Sequence, residues 1–90
     1  MASVLLNWNE ASSKEGIKRY LIYKDDLLKY STNVGIETFV DNDVFVGFTY
    51  SYYIIAETNL NRFSEKSNVA TITIFSGDGN VLNFNLNNYL

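Results

Sequence analysis

The feature that most limits the possible folds is a two-residue alternation of apolar and polar side chains, repeated in short stretches along the chain. Near the start, Val4, Leu6 and Trp8 share one parity, while Leu5 and Asn7 share the other. Side chains two positions apart on a strand lie on the same face of a sheet. No stretch shows the 3.6-residue period of an amphipathic helix. The pattern therefore predicts strands and no helices.

The alternating stretches are separated by polar or glycine-containing segments at intervals typical of a sandwich. One such segment is Asp25-Asp26, which we interpret as a tight turn between two strands. The chain yields about seven strands up to residue 75, among them 3–9, 17–24, 27–30, 38–41, 49–58 and 68–75, and a plausible extra strand in the tail at 81–86. Short local connections favour antiparallel pairing of the strands. Two sheets packed face to face would then bury the apolar side of each strand in one shared core. The sequence predicts an all-β sandwich.

The stretch TYSYYIIAET contains three tyrosines and two isoleucines within ten residues. Its alternation predicts that Tyr50, Tyr52 and Ile54 face the core. Tyr53 and Ile55 have the opposite parity and are predicted to face outward. Trp8 is predicted to be a core residue and not a platform for sugar binding.

Composition excludes several classes of function. The 90 residues make one domain, with no cysteine, no histidine and a net charge of −3. Without histidine the chain lacks the commonest general base and metal ligand, so we expect no enzymatic activity and no cofactor. The seven scattered basic residues do not form a groove for nucleic acid. No apolar run is long enough for a membrane helix, and the N-terminus does not resemble a signal peptide.

Five short motifs occur in an order and spacing that resemble a fibronectin type III domain over residues 3–75. They are Leu6-Asn7-Trp8, Ile17 with Tyr20-Leu21-Ile22, Phe39-Val40-Asp41, Tyr50-Ser51-Tyr52-Tyr53-Ile54-Ile55-Ala56, and Ser64-Glu65-Lys66-Ser67-Asn68. The resemblance implies an immunoglobulin-like antiparallel β-sandwich in residues 1–76. It also implies that the hydroxyl of Tyr50 bonds to nearby backbone, as in the tyrosine corner of such folds.

The chain departs from the family at both ends. Members usually begin with a strand A before the Leu-x-Trp motif, and this chain starts almost at the next strand. Residues 77–90 form an extension beyond the last family strand, and its apolar residues Leu82, Phe84 and Leu86 alternate with asparagines. This tail could fill the missing edge of its own domain, pair with another chain, or be disordered.

The side chains predicted to face away from the core form a second candidate contact surface. Leu21 and Tyr23 should lie beside Tyr53 and Ile55, with Phe75 alongside. Exposed apolar patches often mark contact sites. The alternatives are cross-strand pairing that only stabilises the sheet and, more weakly, a platform for carbohydrate.

Two acidic segments, Asp41-Asn42-Asp43 and Asp78-Gly79-Asn80, carry oxygen ligands that calcium could use. Neither has the glutamate that closes a twelve-residue calcium loop. We interpret both as solvated turns, and no metal site is predicted.

These observations favour a non-catalytic structural or binding protein. A chain that starts with Met, has no secretion signal and lacks strand A is expected to be a small complete gene product. Immunoglobulin-like domains also occur in tailed bacteriophages, as capsid decorations and as tail or neck accessories. The first hypothesis is therefore a virion component, made in the host cytoplasm, that contacts other protein subunits. The alternative is a spacer or weak carbohydrate-binding module of a bacterial secreted or cell-surface protein.

Overall fold

A computed structural model describes residues 2–86, which form seven strands and no helix. The strands pack as two sheets, one of three strands in the order β4-β1-β7 and one of four in the order β3-β2-β5-β6. Their bounds are β1 Ala2–Trp8, β2 Ile17–Lys24, β3 Leu27–Asn33, β4 Thr38–Val44, β5 Thr49–Thr58, β6 Ala70–Thr73 and β7 Val81–Phe84. The prediction of an all-β, two-sheet fold is confirmed.

The alternation seen in the sequence decides which residues enter the core. In β1 every second side chain is buried, and Val4 and Leu6 are fully shielded from solvent. In β5 the same holds for Tyr52, Ile54 and Ala56. Trp8 is buried as predicted, with its ring edge-on to Tyr20 at a centroid distance of 5.6 Å. The core is thus the interface between the two sheets.

One pair of strands differs from the predicted antiparallel arrangement. β7 runs parallel to β1, with Leu5 opposite Val81 and Trp8 opposite Phe84. The remaining ladders are antiparallel. The chain reaches β7 by crossing from the four-stranded sheet, which contains β6, to the three-stranded sheet through residues 74–80.

The tail therefore folds back onto its own domain, one of the three alternatives open from the sequence. β7 covers the edge of β1 that we expected to be open. Two asparagine side chains bond the tail to the start of the chain. Asn9 Oδ1 accepts from the Leu86 amide at 2.6 Å, and Asn80 Nδ2 donates to the Ser3 carbonyl at 2.9 Å. Residues 87–90 of the predicted extension lie outside the described part of the chain.

Candidate functional site

The predicted outward surface forms on the four-stranded sheet. Leu21 lies opposite Ile55, and Tyr23 lies opposite Tyr53, across the β2–β5 ladder. The two tyrosine rings stack at a centroid distance of 4.7 Å with an interplanar angle of 8°. Leu21 is buried even on this outer face, whereas the other three side chains are half-buried. The structure thus brings these four residues together as tightly paired neighbours.

Other contacts on this face use much of its surface. The ammonium of Lys66 lies 5.2 Å from the centre of the Tyr53 ring, in addition to the stacked Tyr23. Towards β6, the hydroxyls of Ser51 and Thr71 are hydrogen-bonded at 2.9 Å. Such pairs stabilise a sheet across its strands. Part of the ring surface on which a sugar could stack is therefore already in contact with other side chains.

The predicted contact residues of the tail face inward. Phe84 is 2% exposed and Leu86 is 4% exposed, and both belong to the core cluster. Leu82 is partly buried and packs against the same cluster. In this conformation the three side chains hold β7 onto its own domain.

Phe75, predicted to lie alongside the outward face, falls two residues beyond the end of β6 at Thr73 and outside the β5–β6 ladder. It is 85% exposed and belongs to a group at one end of the sandwich that sequence reasoning did not identify. We call this group the aromatic end, and its members are Leu27, Phe45, Val46, Phe48 and Phe75. Each of the other four is between 57% and 63% exposed.

The backbone fixes the aromatic end in place. The Phe45 and Phe48 rings meet edge to face at 6.4 Å. The Phe45 amide donates to the hydroxyl of Tyr50 at 3.0 Å, which confirms the backbone bond predicted for that tyrosine. Ile74 exchanges backbone bonds with this loop, donating to the Phe48 carbonyl at 2.9 Å. These side chains are therefore presented on an anchored loop.

A signal for the aromatic end was present in the sequence. The run Phe45–Phe48 places three large apolar residues around Gly47, in the segment between β4 and β5. Gly47 has a φ of 93°, a conformation that side chains beyond glycine rarely adopt. Apolar residues in such a bend cannot all enter a core that is already filled by strand residues, so their exposure could have been expected.

A buried polar cluster lies behind this end, between the two sheets. Asp41, on β4, is 1% exposed and forms an ion pair with Lys24 of β2, with an Nζ–Oδ2 distance of 2.8 Å. Its carboxylate also accepts from the hydroxyls of Tyr52 at 2.6 Å and Tyr30 at 3.0 Å, and from the Asp43 amide at 2.9 Å. The prediction of a solvated turn at Asp41 was wrong, because these donors make burial of the carboxylate tolerable.

The cluster shifts the pKa values of its members. Burial alone would raise the pKa of Asp41, but the hydrogen bonds from Lys24, Tyr52, the Asp43 amide and Tyr30 outweigh it and lower the pKa. Burial, together with donation to Asp41, raises the pKa of Tyr30 to about 12 and that of Tyr52 further. The arrangement holds one carboxylate ionised beside hydroxyls that stay protonated, so it is suited to structural support.

The described residues give no indication of a bound metal or a membrane span. Within residues 2–86, no three acidic, histidine or cysteine side chains are grouped so that they could hold a metal ion. Over the same residues, no helix is long and apolar enough to cross a membrane. Comparison of the chain with protein-family models, curated proteins and solved structures found no match.

Proposed function

We propose that this chain is a non-catalytic binding domain of the fibronectin type III kind that attaches to other protein subunits. The observation that carries the proposal is the aromatic end. Its three phenylalanines, exposed by 63%, 60% and 85%, offer roughly 400 Å² of apolar surface, taking about 200 Å² for each side chain. The largest apolar patch on a typical monomer is about 300–600 Å² and is often a contact site.

The internal chemistry of the chain supports a binding role. The charges of Lys24 and Asp41 are buried against each other, and the tyrosine hydroxyls beside them are committed to the same carboxylate. A catalytic acid or base needs access to a substrate proton. This cluster joins the two sheets and thereby supports the loop that carries the aromatic end.

The setting we propose is a bacteriophage virion, in which the domain would be a capsid decoration or a tail or neck accessory. This setting follows from the resemblance stated above and from a surface suited to shape-based contact. A carbohydrate-binding module of a secreted protein is the alternative, but the Tyr53 ring is already covered by Tyr23 and Lys66. Attachment to protein is therefore the function that we favour.

The test is co-sedimentation of the purified chain with purified capsids and tails of the phage that encodes it. We expect wild-type protein to sediment with one of these particles and the triple variant Phe45→Ser, Phe48→Ser, Phe75→Ser to stay in the supernatant. The matched control is Leu60→Ser with Phe63→Ser, which alters side chains that are 63% and 58% exposed. Wild-type protein that remains monomeric and sediments with neither particle would refute the proposal.

A further inference from the structure

A groove of about 320 Å³ adjoins the aromatic end. Its apolar walls are Leu27, Phe45 and Tyr50, and its acidic groups are Asp25 and Asp43. Pockets for drug-sized ligands span about 300–1,000 Å³. The groove lies at the lower end of that range and has room for one long side chain. One of these acidic groups is held in place, because the Asp25 carboxylate accepts from the Ser51 amide at 2.9 Å.

The charges that remain available in the groove favour a cation. Lys24 also lines it, but its ammonium is paired with Asp41, donates to the Asp43 carbonyl at 2.6 Å and lies 4.8 Å from the centre of the Tyr50 ring. Among residues 2–86, the Asp43 carboxylate receives no hydrogen bond. Among the described residues that line the groove, the Asp25 and Asp43 carboxylates therefore outnumber the one cation without an ion pair, that of Lys29.

We propose that the groove receives an arginine side chain of a partner protein that docks on the aromatic end; the inference rests on the proposed function. A guanidinium is planar, stacks on aromatic rings and binds carboxylates through two parallel hydrogen bonds. The Phe45 ring, which is 63% exposed, supplies aromatic surface, and Asp43 supplies the carboxylate. The net charge of −3 on the chain also favours approach of a basic surface.

The partner in this proposal is a different protein and not a second copy of the chain. Both arginines of this sequence already form ion pairs, Arg19 with Glu57 and Arg62 with Glu15, each at 3.2 Å. Docking of a second copy would compete with one of these pairs, which is a small cost because the Arg19 and Arg62 side chains are 40% and 73% exposed. A partner with an unpaired arginine has no such cost.

The test uses the full chain labelled with ¹⁵N and titrated with N-acetyl-arginine methylamide. We expect saturable shifts of the amides of Asp25, Asp43 and Phe45. N-acetyl-citrulline methylamide has nearly the same shape but no charge, so it should bind more weakly. We expect a difference of at least about tenfold, which corresponds to about 1.4 kcal/mol of binding free energy.

The matched variants are Asp43→Asn and Asp78→Asn. Both substitutions remove one negative charge from an exposed side chain, but only Asp43 lines the groove. We expect Asp43→Asn to weaken binding of the arginine probe at least about tenfold and Asp78→Asn to leave it unchanged. Equal binding of the two probes, equal effects of the two variants, or no saturable shift would overturn the proposal.

The same samples separate this inference from the proposed function. The Phe48→Ser, Phe75→Ser double variant keeps the groove, so it should still bind the arginine probe. Probe binding together with failure to sediment with particles would contradict the proposed function alone. A wild-type dimer at the concentration of the titration, abolished in the double variant, would show that a second copy occupies the aromatic end and would overturn the inference.

Discussion

Replacing Asp41 by asparagine should be among the most destabilising single changes in this protein. The substitution keeps the shape of the side chain and one oxygen acceptor for the tyrosine hydroxyls. It removes the negative charge that faces Lys24, whose side chain is only 7% exposed. The lysine is then left as a buried cation without a counterion, because its other acceptor is the neutral Asp43 carbonyl.

The expected cost follows from measurements on other buried ion pairs. Removing one partner of such a pair typically costs about 3–5 kcal/mol, whereas replacing both partners by apolar residues is often neutral. A domain of this length has a total stability of about 5–13 kcal/mol. Asp41→Asn should therefore remove a large part of the free energy of unfolding, and adding Lys24→Met should recover at least about half of the loss.

Urea denaturation followed by fluorescence measures this effect, since Trp8 is the single tryptophan of the chain and is buried. Because the pKa of Asp41 is lowered in the folded protein, its stabilising contribution is fully present above the unfolded value of about 3.9. That contribution is lost as the pH falls through the folded value. The gap between wild type and Asp41→Asn should thus be widest near pH 7 and narrow at pH values below about 4.

The reasoning would be refuted by a gap below about 1 kcal/mol at pH 7, because such a value is typical of an exposed pair. It would also be refuted if Lys24→Met failed to restore stability to the Asp41→Asn variant. Asp78→Asn serves as the control, since its side chain is exposed and should change stability by less than about 0.5 kcal/mol.

Three further substitutions test other parts of the structure. Phe84→Ala should cost about 3–5 kcal/mol in urea denaturation because the ring is buried in the core; a cost near zero would mean that β7 does not pack as described. Tyr50→Phe removes the acceptor of the Phe45 amide and should cost about 1 kcal/mol, with faster hydrogen exchange of that amide as the specific sign. Gly16→Ala should lower the melting temperature, since Gly16 has a φ of 79° and a Cβ there would lie 2.5 Å from Asn59 Nδ2; an unchanged melting temperature would contradict that geometry.

Local alternation was sufficient to predict the strands and the core. In β1 all buried positions share a parity, and in β5 the fully shielded Tyr52, Ile54 and Ala56 do, because a strand presents successive side chains to opposite faces. The turn at Asp25-Asp26 was also predictable, and both residues have positive φ values, 52° and 64°. Aspartate tolerates that conformation better than most residues, so local chemistry alone indicates the turn.

The sequence alone did not decide where the tail would pair. Alternation in residues 81–86 predicts a strand, but it cannot say which edge the strand will occupy or in which direction. That was decided by packing, because the position beside β1 buries Phe84 and Leu86 against the core, and Asn9 and Asn80 bond to backbone groups at the two ends of the strand.

The sequence by itself determined that this protein is built of strands, which residues form its core and where its tight turns lie, because these depend on neighbours within a few positions. Only the tertiary structure decided that Asp41 is buried and that the aromatic end forms. Asp41 and Lys24 are 17 positions apart in sequence, and Phe48 and Phe75 approach only through the backbone bonds of Ile74. Contacts between residues distant in sequence leave no periodic signal, so the sequence could indicate exposed apolar residues at 45–48 but not that Leu27 and Phe75 lie at the same end of the sandwich.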